Sequence, residues 1–373
     1  MTGHDGNSGE GFGEYRDGYE EDDFDEEFGD DDFDGDDFGG DAPENTGDGP
    51  HADHSNLSEP FLNELGWDLV EESQTAAQDL NIRSVRTENG ATLLDFGCET
   101  AGSLGAGLAL AEIASAGLID LDIQTADLDG SAWPHLRAVT DTPLEACLLS
   151  QFAGWKINQD GYYAIASGPM RAAAGAEEIF REMTYFESAR RCCGVLEADD
   201  LPTDRILHDI ADECGIPPHG LGICVAPVTS IAGSLQVVAR SVETALHKLH
   251  ALGFDVTRIV SAHGIAPMPP VAVDTILGIG STNDAILYGG SVTLWVEGDD
   301  ASIEEIGPKV PSSASEMSGR PFAEIFKAAG NDFYAIDPML FSPAEIIIQN
   351  ISTGSVQRFG RRVPKLVVES FGI

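Results

Sequence analysis

The chain has 373 residues, a length that favours two domains over one. Its charge is unusual: 64 acidic residues stand against 20 basic ones, which gives a formal net charge of −44 and disfavours nucleic acid as a partner. Residues 1–55 hold 21 of the acids and one base, so the rest of the chain still carries 43 acids against 19 bases.

An acidic surface with only five lysines suits concentrated salt, which screens the repulsion between like charges. We therefore expect a cytoplasmic protein of an extreme halophile, with an acidic partner-binding protein as the alternative. The six cysteines form no C-x-x-C motif, and no signal peptide or apolar run of about 18 residues is found. Reduced thiols and no membrane span are expected.

Residues 1–55 form a low-complexity tail in which phenylalanines punctuate a run of Asp, Glu and Gly. Such a segment cannot bury enough apolar area to offset the entropy of ordering, so we expect it to be disordered. A solvated spacer and a docking segment are both open interpretations, and the sequence does not identify a partner for the tail.

Regular structure is expected to begin near Leu57. An amphipathic pattern predicts a helix from Asn63 to Leu80. Asn89-Gly90 predicts the turn of a hairpin between strands 82–86 and 91–96. The elements predicted next are a helix at 102–116, a strand at 120–125, a helix at 143–152, strands at 161–165 and 194–196, a helix at 204–214 and a strand at 222–226.

The stretch from Ala226 to Gly253 has the clearest helical period in the chain. Its apolar residues recur at steps of three and four, which predicts one helix with a face in the core, ended by Gly253. Thr229 or Ser230 is expected to cap its start, where free backbone N–H groups suit an anion.

The opposite face of this helix carries Gln236, Arg240, Glu243 and His247, spaced four, three and four residues apart. Spacing alone leaves two interpretations open. Arg240 and Glu243 can be a surface ion pair worth ~0.2–0.5 kcal/mol. Alternatively, Glu243 is an acid–base group with a guanidinium beside it.

Beyond Gly253 the pattern predicts a strand at 258–261, an extended proline-rich segment at 264–270 and a β-rich stretch at 285–296. A helix at 321–329 and a hairpin between 345–350 and 355–359, whose strands flank Thr353-Gly354, complete the chain. Helices and antiparallel strands without regular alternation predict an α/β (mixed α+β) fold, not a doubly wound sheet.

From about Asn63 to Ile373 the chain resembles the methenyltetrahydromethanopterin cyclohydrolase family of archaea. No single motif is decisive, but many occur in the same order. They are Leu62–Trp67, Glu88–Thr92, Ser150–Trp155, Ser167–Ala172, Ala226–Thr244, Ser281–Tyr288, Val310–Ser313, Arg320–Lys327 and Asp332–Pro338.

The resemblance implies a homotrimer with no metal or other cofactor. Each subunit has two α/β domains with a pterin pocket between them. We place the larger domain at 57–165 and 265–373, which makes it discontinuous, and the second at 166–264. The implied reaction hydrolyses 5,10-methenyltetrahydromethanopterin to the 5-formyl compound in one-carbon metabolism.

Arg240 and Glu243 correspond to the essential arginine and glutamate of the family. Glu243 then acts as the general base and later as the acid, while Arg240 holds it in place and lowers its pKa. Gln236 is expected to bind water or pterin. The other candidate substrate-binding residues are Arg171, Arg320 and Lys327 for acidic groups of the substrate tail, with Thr229 and Ser230 at the helix start.

Two alternatives remain open at this point. One is the same reaction on methenyltetrahydrofolate. The other is a non-catalytic pterin-binding or scaffold protein that uses the acidic tail for interaction.

Salt is expected to control stability and assembly. Dilution from about 1 M to 0.1 M lengthens the screening distance from ~3 Å to ~10 Å, so repulsion within the acidic body should separate or unfold the subunits. Sedimentation and circular dichroism across this range measure the effect. A protein that keeps its assembly and melting temperature in dilute buffer, without ligand, would contradict the halophile prediction.

Overall fold

The computed structural model describes residues 61–373, so the predicted disordered tail lies outside the described residues. The helices are α1 (Leu62–Thr75), α2 (Ala77–Leu80), α3 (Leu104–Ala114), α4 (Met170–Ala174), α5 (Glu178–Glu182), α6 (Asp204–Glu213), α7 (Ile231–Val238), α8 (Ser241–Ala251), α9 (Thr275–Leu287), α10 (Asp300–Ile306), α11 (Phe322–Ala328) and α12 (Pro364–Phe371), with a π-helix at Leu144–Gln151. The strands are β1 (Arg83–Arg86), β2 (Thr92–Asp95), β3 (Asp120–Leu128), β4 (Ser131–Thr140), β5 (Trp155–Gln159), β6 (Tyr162–Ser167), β7 (Cys192–Glu197), β8 (Leu221–Ala226), β9 (Ile259–Pro267), β10 (Ser291–Val296), β11 (Glu345–Asn350) and β12 (Val356–Gly360).

The first sheet has the strand order β1-β2-β8-β7-β6-β5. Its central strands β2, β8 and β7 are parallel, and hairpins form both edges. Every residue of β8 is buried, as expected for a parallel strand covered on both faces. Ile223 and Val225 pack towards α6, whereas Cys224 and Ala226 pack towards α1 and α3.

The second sheet has the order β12-β11-β10-β9-β4-β3, with β10 and β11 parallel and the other pairs antiparallel. Side chains of β10 alternate between buried and half-buried positions. Its buried residues Val292 and Leu294 share a core with Val242 and Leu246 of α8. The apolar face predicted for the central stretch therefore packs on this sheet.

The central stretch forms two helices where one was predicted. The chain leaves α-helical geometry at Ala239 and Arg240, where the amide of Arg240 bonds the carbonyl of Val237, and α8 starts afresh with Arg240 as its N-cap. The apolar period continues across the break, so the sequence pattern does not reveal it. The break turns the side chain of Arg240 towards neighbouring elements.

Ser230, and not Thr229, caps the start of α7. Its Oγ accepts the amide of Gly233 at 2.9 Å and donates to the carbonyl of Pro227 at 2.8 Å. Gly233 lies against that same carbonyl, so closely that a Cβ there would overlap it. Only glycine permits this tight entry into α7.

Most predicted elements are confirmed, including both hairpins and the mixed α/β class with two mixed sheets. The predicted β-rich stretch at 285–296 is wrong in its first part, because α9 continues to Leu287 before β10 begins. The predicted helix at 143–152 is a π-helix, and the predicted helix 63–80 divides at Ala76.

The described residues belong to one compact unit, so the two domain boundaries stay a prediction. Within residues 61–373, all helices are too short or too polar to cross a bilayer.

Replacing Ser230 with alanine should destabilise the protein by about 1–2 kcal/mol, since the change removes the cap of α7 and a second hydrogen bond. Thr229→Ala is the matched control and should stay within about 0.5 kcal/mol of the parent. Urea unfolding in concentrated salt measures both values. Equal losses in the two variants would contradict the assignment of the cap.

Candidate active site

A cleft of about 460 Å³ lies beside the junction of α7 and α8. Its walls come from the first sheet, this junction, α9 and the segment 333–341. They are mostly apolar, with a small group of polar side chains. The lining residues are Ala153, Tyr163, Ile165, Glu197, Val237, Arg240, Glu243, Thr244, Ile279, Thr282, Asn283, Ile286, Phe333, Ile336, Pro338 and Phe341.

Glu243 lies in the first turn of α8 and is only 4% exposed. Burial raises the pKa of its carboxyl group to about 7, although the nearby charges of Arg240 and Arg171 act in the opposite direction. Among the described residues, no hydrogen bond to this carboxyl group is found. The group therefore faces the cleft with its oxygens available, and near neutral pH both of its protonation states are populated.

Arg240 is 7% exposed and is held by three different elements. Nη2 donates to Gln236 Oε1 of α7 and to Ser167 Oγ of β6, each at 2.9 Å, and Nη1 donates to the carbonyl oxygen of Gln151 in the π-helix. Burial lowers the pKa of Arg240, and Glu243 and Glu197 counteract this. Burial of both Arg240 and Glu243 shows that the surface-pair interpretation is wrong.

Arg240 and Glu243 act on each other through space. Within residues 61–373, no ion pair of 4.0 Å or less joins them. Arg240 lowers the pKa of Glu243, as expected, but loss of hydration outweighs the attraction of the guanidinium, so the pKa lies above its ordinary value. Arg240 limits the rise of that pKa instead of reversing it.

Gln236 lies close to Arg240, as its place on the polar face predicted. Its side chain is buried, its Oε1 accepts from Arg240, and its Nε2 lies 3.4 Å from Glu197 Oε2. Glu197 ends β7 and lines the cleft, and burial raises its pKa. Sequence reasoning missed Glu197. The only signal is an acid at the end of an otherwise apolar strand.

Gln236 and the remaining predicted site residues are not among those that line the cleft. Arg171 is 1% exposed and uses its guanidinium within the protein, and the Oγ of Ser230 is committed to its cap. Arg320 and Lys327 are exposed, and Thr229 is half-buried next to the cap. Their proposed contacts with a substrate stay a prediction.

The π-helix was not predicted, yet it borders the site. Its last hydrogen bond runs from the amide of Phe152 to the carbonyl of Cys147, five residues back. The side-chain amide of Gln151 is buried and has no hydrogen-bond partner among the described residues. Phe152 stacks on His247 with 4.5 Å between ring centroids, and burial lowers the pKa of His247 to about 4. The fourth residue of the polar face is therefore neutral at pH 7.

Lys248 ties a wall of the cleft to α8. It is buried, and its Nζ donates to the carbonyl of Met339, next to the lining residue Pro338. Burial lowers the pKa of Lys248 to about 8. Because Glu243 and Lys248 belong to the same helix, this bond fixes the position of the 333–341 wall relative to Glu243.

A buried carboxyl group that titrates near neutrality, beside a fixed guanidinium in an apolar cleft, defines a site of the acid–base enzyme type. The chain belongs to the cyclohydrolase (MCH) family, whose model matches residues 61–371. This confirms the resemblance found in the sequence.

Three relatives show how close this membership is. The methenyltetrahydromethanopterin cyclohydrolase of Rhodopirellula baltica is 49% identical over 289 residues, which cover 76% of this chain and 87% of the relative. Proteins with the same name from Methanosarcina mazei and Methylobacillus flagellatus are each 39% identical over 84% of this chain, covering 98% and 96% of their own lengths. The similarity therefore covers nearly the whole of these relatives.

Glu243→Gln should change how stability depends on pH. The folded pKa of about 7 exceeds the ordinary glutamate value of 4.5, so the native state loses stability as the pH rises through this window. The variant lacks this loss and should become more stable than the parent, by at most about 3 kcal/mol above pH 7. Chemical unfolding between pH 4.5 and 8.5 measures the difference. If the difference in free energy of unfolding between the two proteins stays constant across this pH range, the pKa of Glu243 is not raised in the folded state.

Proposed function

We propose that this chain hydrolyses the methenyl bridge of 5,10-methenyltetrahydromethanopterin to give the 5-formyl compound. The observation that carries the proposal is Glu243, a buried carboxyl group with a pKa of about 7 in the wall of an apolar cleft. The name shared by relatives that match the chain over most of their length supports this choice of reaction.

The substrate has a carbon between two nitrogens that share a positive charge, so the carbon already attracts a nucleophile. Glu243 takes a proton from water as the oxygen bonds to this carbon, which gives a neutral adduct. The carboxylic acid then donates the proton to the leaving nitrogen as the C–N bond breaks. The hydroxyl proton leaves to solvent as the formyl group forms, so water is consumed and one proton is released.

A pKa near the working pH suits a group that must serve first as base and then as acid. Arg240 keeps the pKa of Glu243 from rising further, so that a large fraction is ionised before water attacks. Four of its five N–H groups have partners on Gln236, Ser167 and Gln151 within the described chain. The fifth is free to orient the attacking water.

The shape of the cleft suits a large, flat and partly aromatic substrate. Tyr163, Phe333 and Phe341 contribute rings to its wall, together with aliphatic side chains of α9. An apolar wall also excludes bulk water and strengthens the electrostatic effect of Arg240 on the reacting carbon and on Glu243.

Three further expectations belong to the same proposal. No metal or other cofactor is required, because the substrate carries the charge that makes its carbon electrophilic. The protein assembles as a homotrimer, as the family resemblance implies. It works in the cytoplasm of a halophile, which its composition and six reduced cysteines support.

The function is tested by a spectrophotometric assay of bridge opening in multimolar salt. Methenyltetrahydromethanopterin and methenyltetrahydrofolate are compared side by side, and turnover of the first is expected to be much faster. Preference for the folate would move the proposal to the alternative substrate. Binding of either compound without hydrolysis would favour the non-catalytic alternative.

Glu243→Gln should lower turnover by about 10²–10⁴-fold, since it keeps the shape of the side chain and removes the base. The apparent substrate affinity should change much less, because only the transition state requires the proton to move. Glu304→Gln is the control, as Glu304 is an exposed glutamate of α10. Near-normal turnover in Glu243→Gln would refute the proposed mechanism while leaving family membership intact.

A further inference from the structure

We propose that Arg171 is a positioning residue for catalysis, which holds the end of the π-helix so that Arg240 is presented correctly to Glu243. The inference rests on the proposed function. It replaces the role predicted from the sequence, in which Arg171 contacts the tail of the substrate.

Arg171 is enclosed on all sides. It lies in α4, and its Nε and Nη2 bond the two carboxylate oxygens of Glu177 at 2.7 and 2.6 Å. The guanidinium also lies over the rings of Phe152 and Phe180, at 5.1 and 5.4 Å from their centroids. The two ring contacts and the bidentate pair along one edge restrict the orientation of the group.

The remaining edge of this guanidinium points at the π-helix. Nη1 donates to the carbonyl oxygens of Leu148 and Ser150, at 3.2 and 3.0 Å. Carbonyl groups at the end of a helix lack partners within the helix, so their positions depend on donors from outside. Arg171 supplies such donors for the last turn of the π-helix.

The next carbonyl along the chain is the one that binds Arg240. Gln151 follows Ser150 directly, and its carbonyl oxygen accepts from Arg240 Nη1. Two arginines therefore hold three carbonyl groups of a single turn: Arg171 bonds those of Leu148 and Ser150, and Arg240 bonds that of Gln151. Any shift of this turn that follows the loss of Arg171 moves an acceptor of Arg240.

The charge of Arg171 reaches the same site. It opposes the rise of the Glu243 pKa in the same direction as Arg240, the N-cap of the helix that carries Glu243. Arg240 is also influenced by Glu197 of β7 and by the Cys147 thiol of the π-helix, whose pKa burial raises well above its ordinary value. Arg171 is ion-paired with Glu177, and both of these groups influence His247 of α8. Removing the charge of Arg171 and removing its fork-shaped geometry should therefore have separable effects.

Two substitutions separate geometry from charge. Arg171→Lys keeps the charge and loses the fork, so kcat should fall by about 10²-fold with little change in KM and an unchanged pH midpoint. Arg171→Met loses both, so kcat should fall at least as far and the midpoint for the base should move to higher pH. Arg258 is a matched control because it also bonds a carbonyl, that of Glu297, and stacks on Phe254, but it lies outside the cleft.

The experiment measures kcat, KM and the pH profile of the full-length protein, together with melting temperature. The infrared band of the Glu243 carboxyl group, identified by its loss in Glu243→Gln, is titrated in each variant. A purely structural role predicts lower melting temperatures with parental kcat and pH profile, as expected for Arg258→Lys and Arg258→Met. That result for both Arg171 variants would overturn the inference.

The infrared titration keeps this test distinct from that of the proposed function. If the parent protein hydrolyses neither pterin, the proposed function fails and the titration alone decides the role of Arg171. An unchanged Glu243 midpoint in Arg171→Met would then overturn the inference, and a raised midpoint would support it. If Arg171→Met does not fold, the kinetic comparison of Arg171→Lys with Arg258→Lys decides the matter.

Discussion

The structure depends on the burial of one carboxyl group beside one guanidinium group. Removing Glu243 from water raises its pKa to about 7, and the charge of Arg240 limits that rise. A buried guanidinium needs partners for most of its N–H groups, because each unpaired donor would cost about 1–3 kcal/mol. Those bonds reach α7, β6 and the π-helix, so satisfying a single side chain fixes the relative positions of three elements.

The break between α7 and α8 makes this arrangement possible. In a continuous helix, Arg240 would occupy an interior position with its backbone groups bonded within the helix. As the N-cap of a new helix it places Glu243 in the first turn, where the helix dipole favours a negative charge. The cost of interrupting the helix is offset by the bonds that the side chain of Arg240 makes.

Local signals made much of the fold predictable. Asn89-Gly90 and Thr353-Gly354 mark turns by their own chemistry, and both hairpins were located from them. Helix α9 was missed because glycine, serine, threonine and asparagine dominate its first part, and these residues have weak helix propensity. A tertiary contact holds α9 in place: the carboxyl group of Asp284 accepts a hydrogen bond from the amide of Phe322 at the start of α11.

The site was predictable only where residues share a helix face. Gln236, Arg240 and Glu243 were found together because their spacing places them on one side. Glu197 joins them from β7 of the first sheet, so no helical period in the sequence connects it to them. Whether the carboxyl pKa rises or falls could not be decided from the presence of an arginine, since the outcome depends on how deeply both groups are buried.

The π-helix also constrains how the sequence can change over evolutionary time. Its hydrogen bonds join residues five apart, so the turn before Phe152 holds one residue more than an α-helix would need. Deleting a single residue there would still allow a helix, but the later side chains of that helix would rotate by about 100°. Gln151 would then lose its hydrogen bond with Arg240, and Phe152 would lose its stacking contact with His247. Within this family, a one-residue gap in that turn would therefore mark a change of activity more reliably than most substitutions in the core.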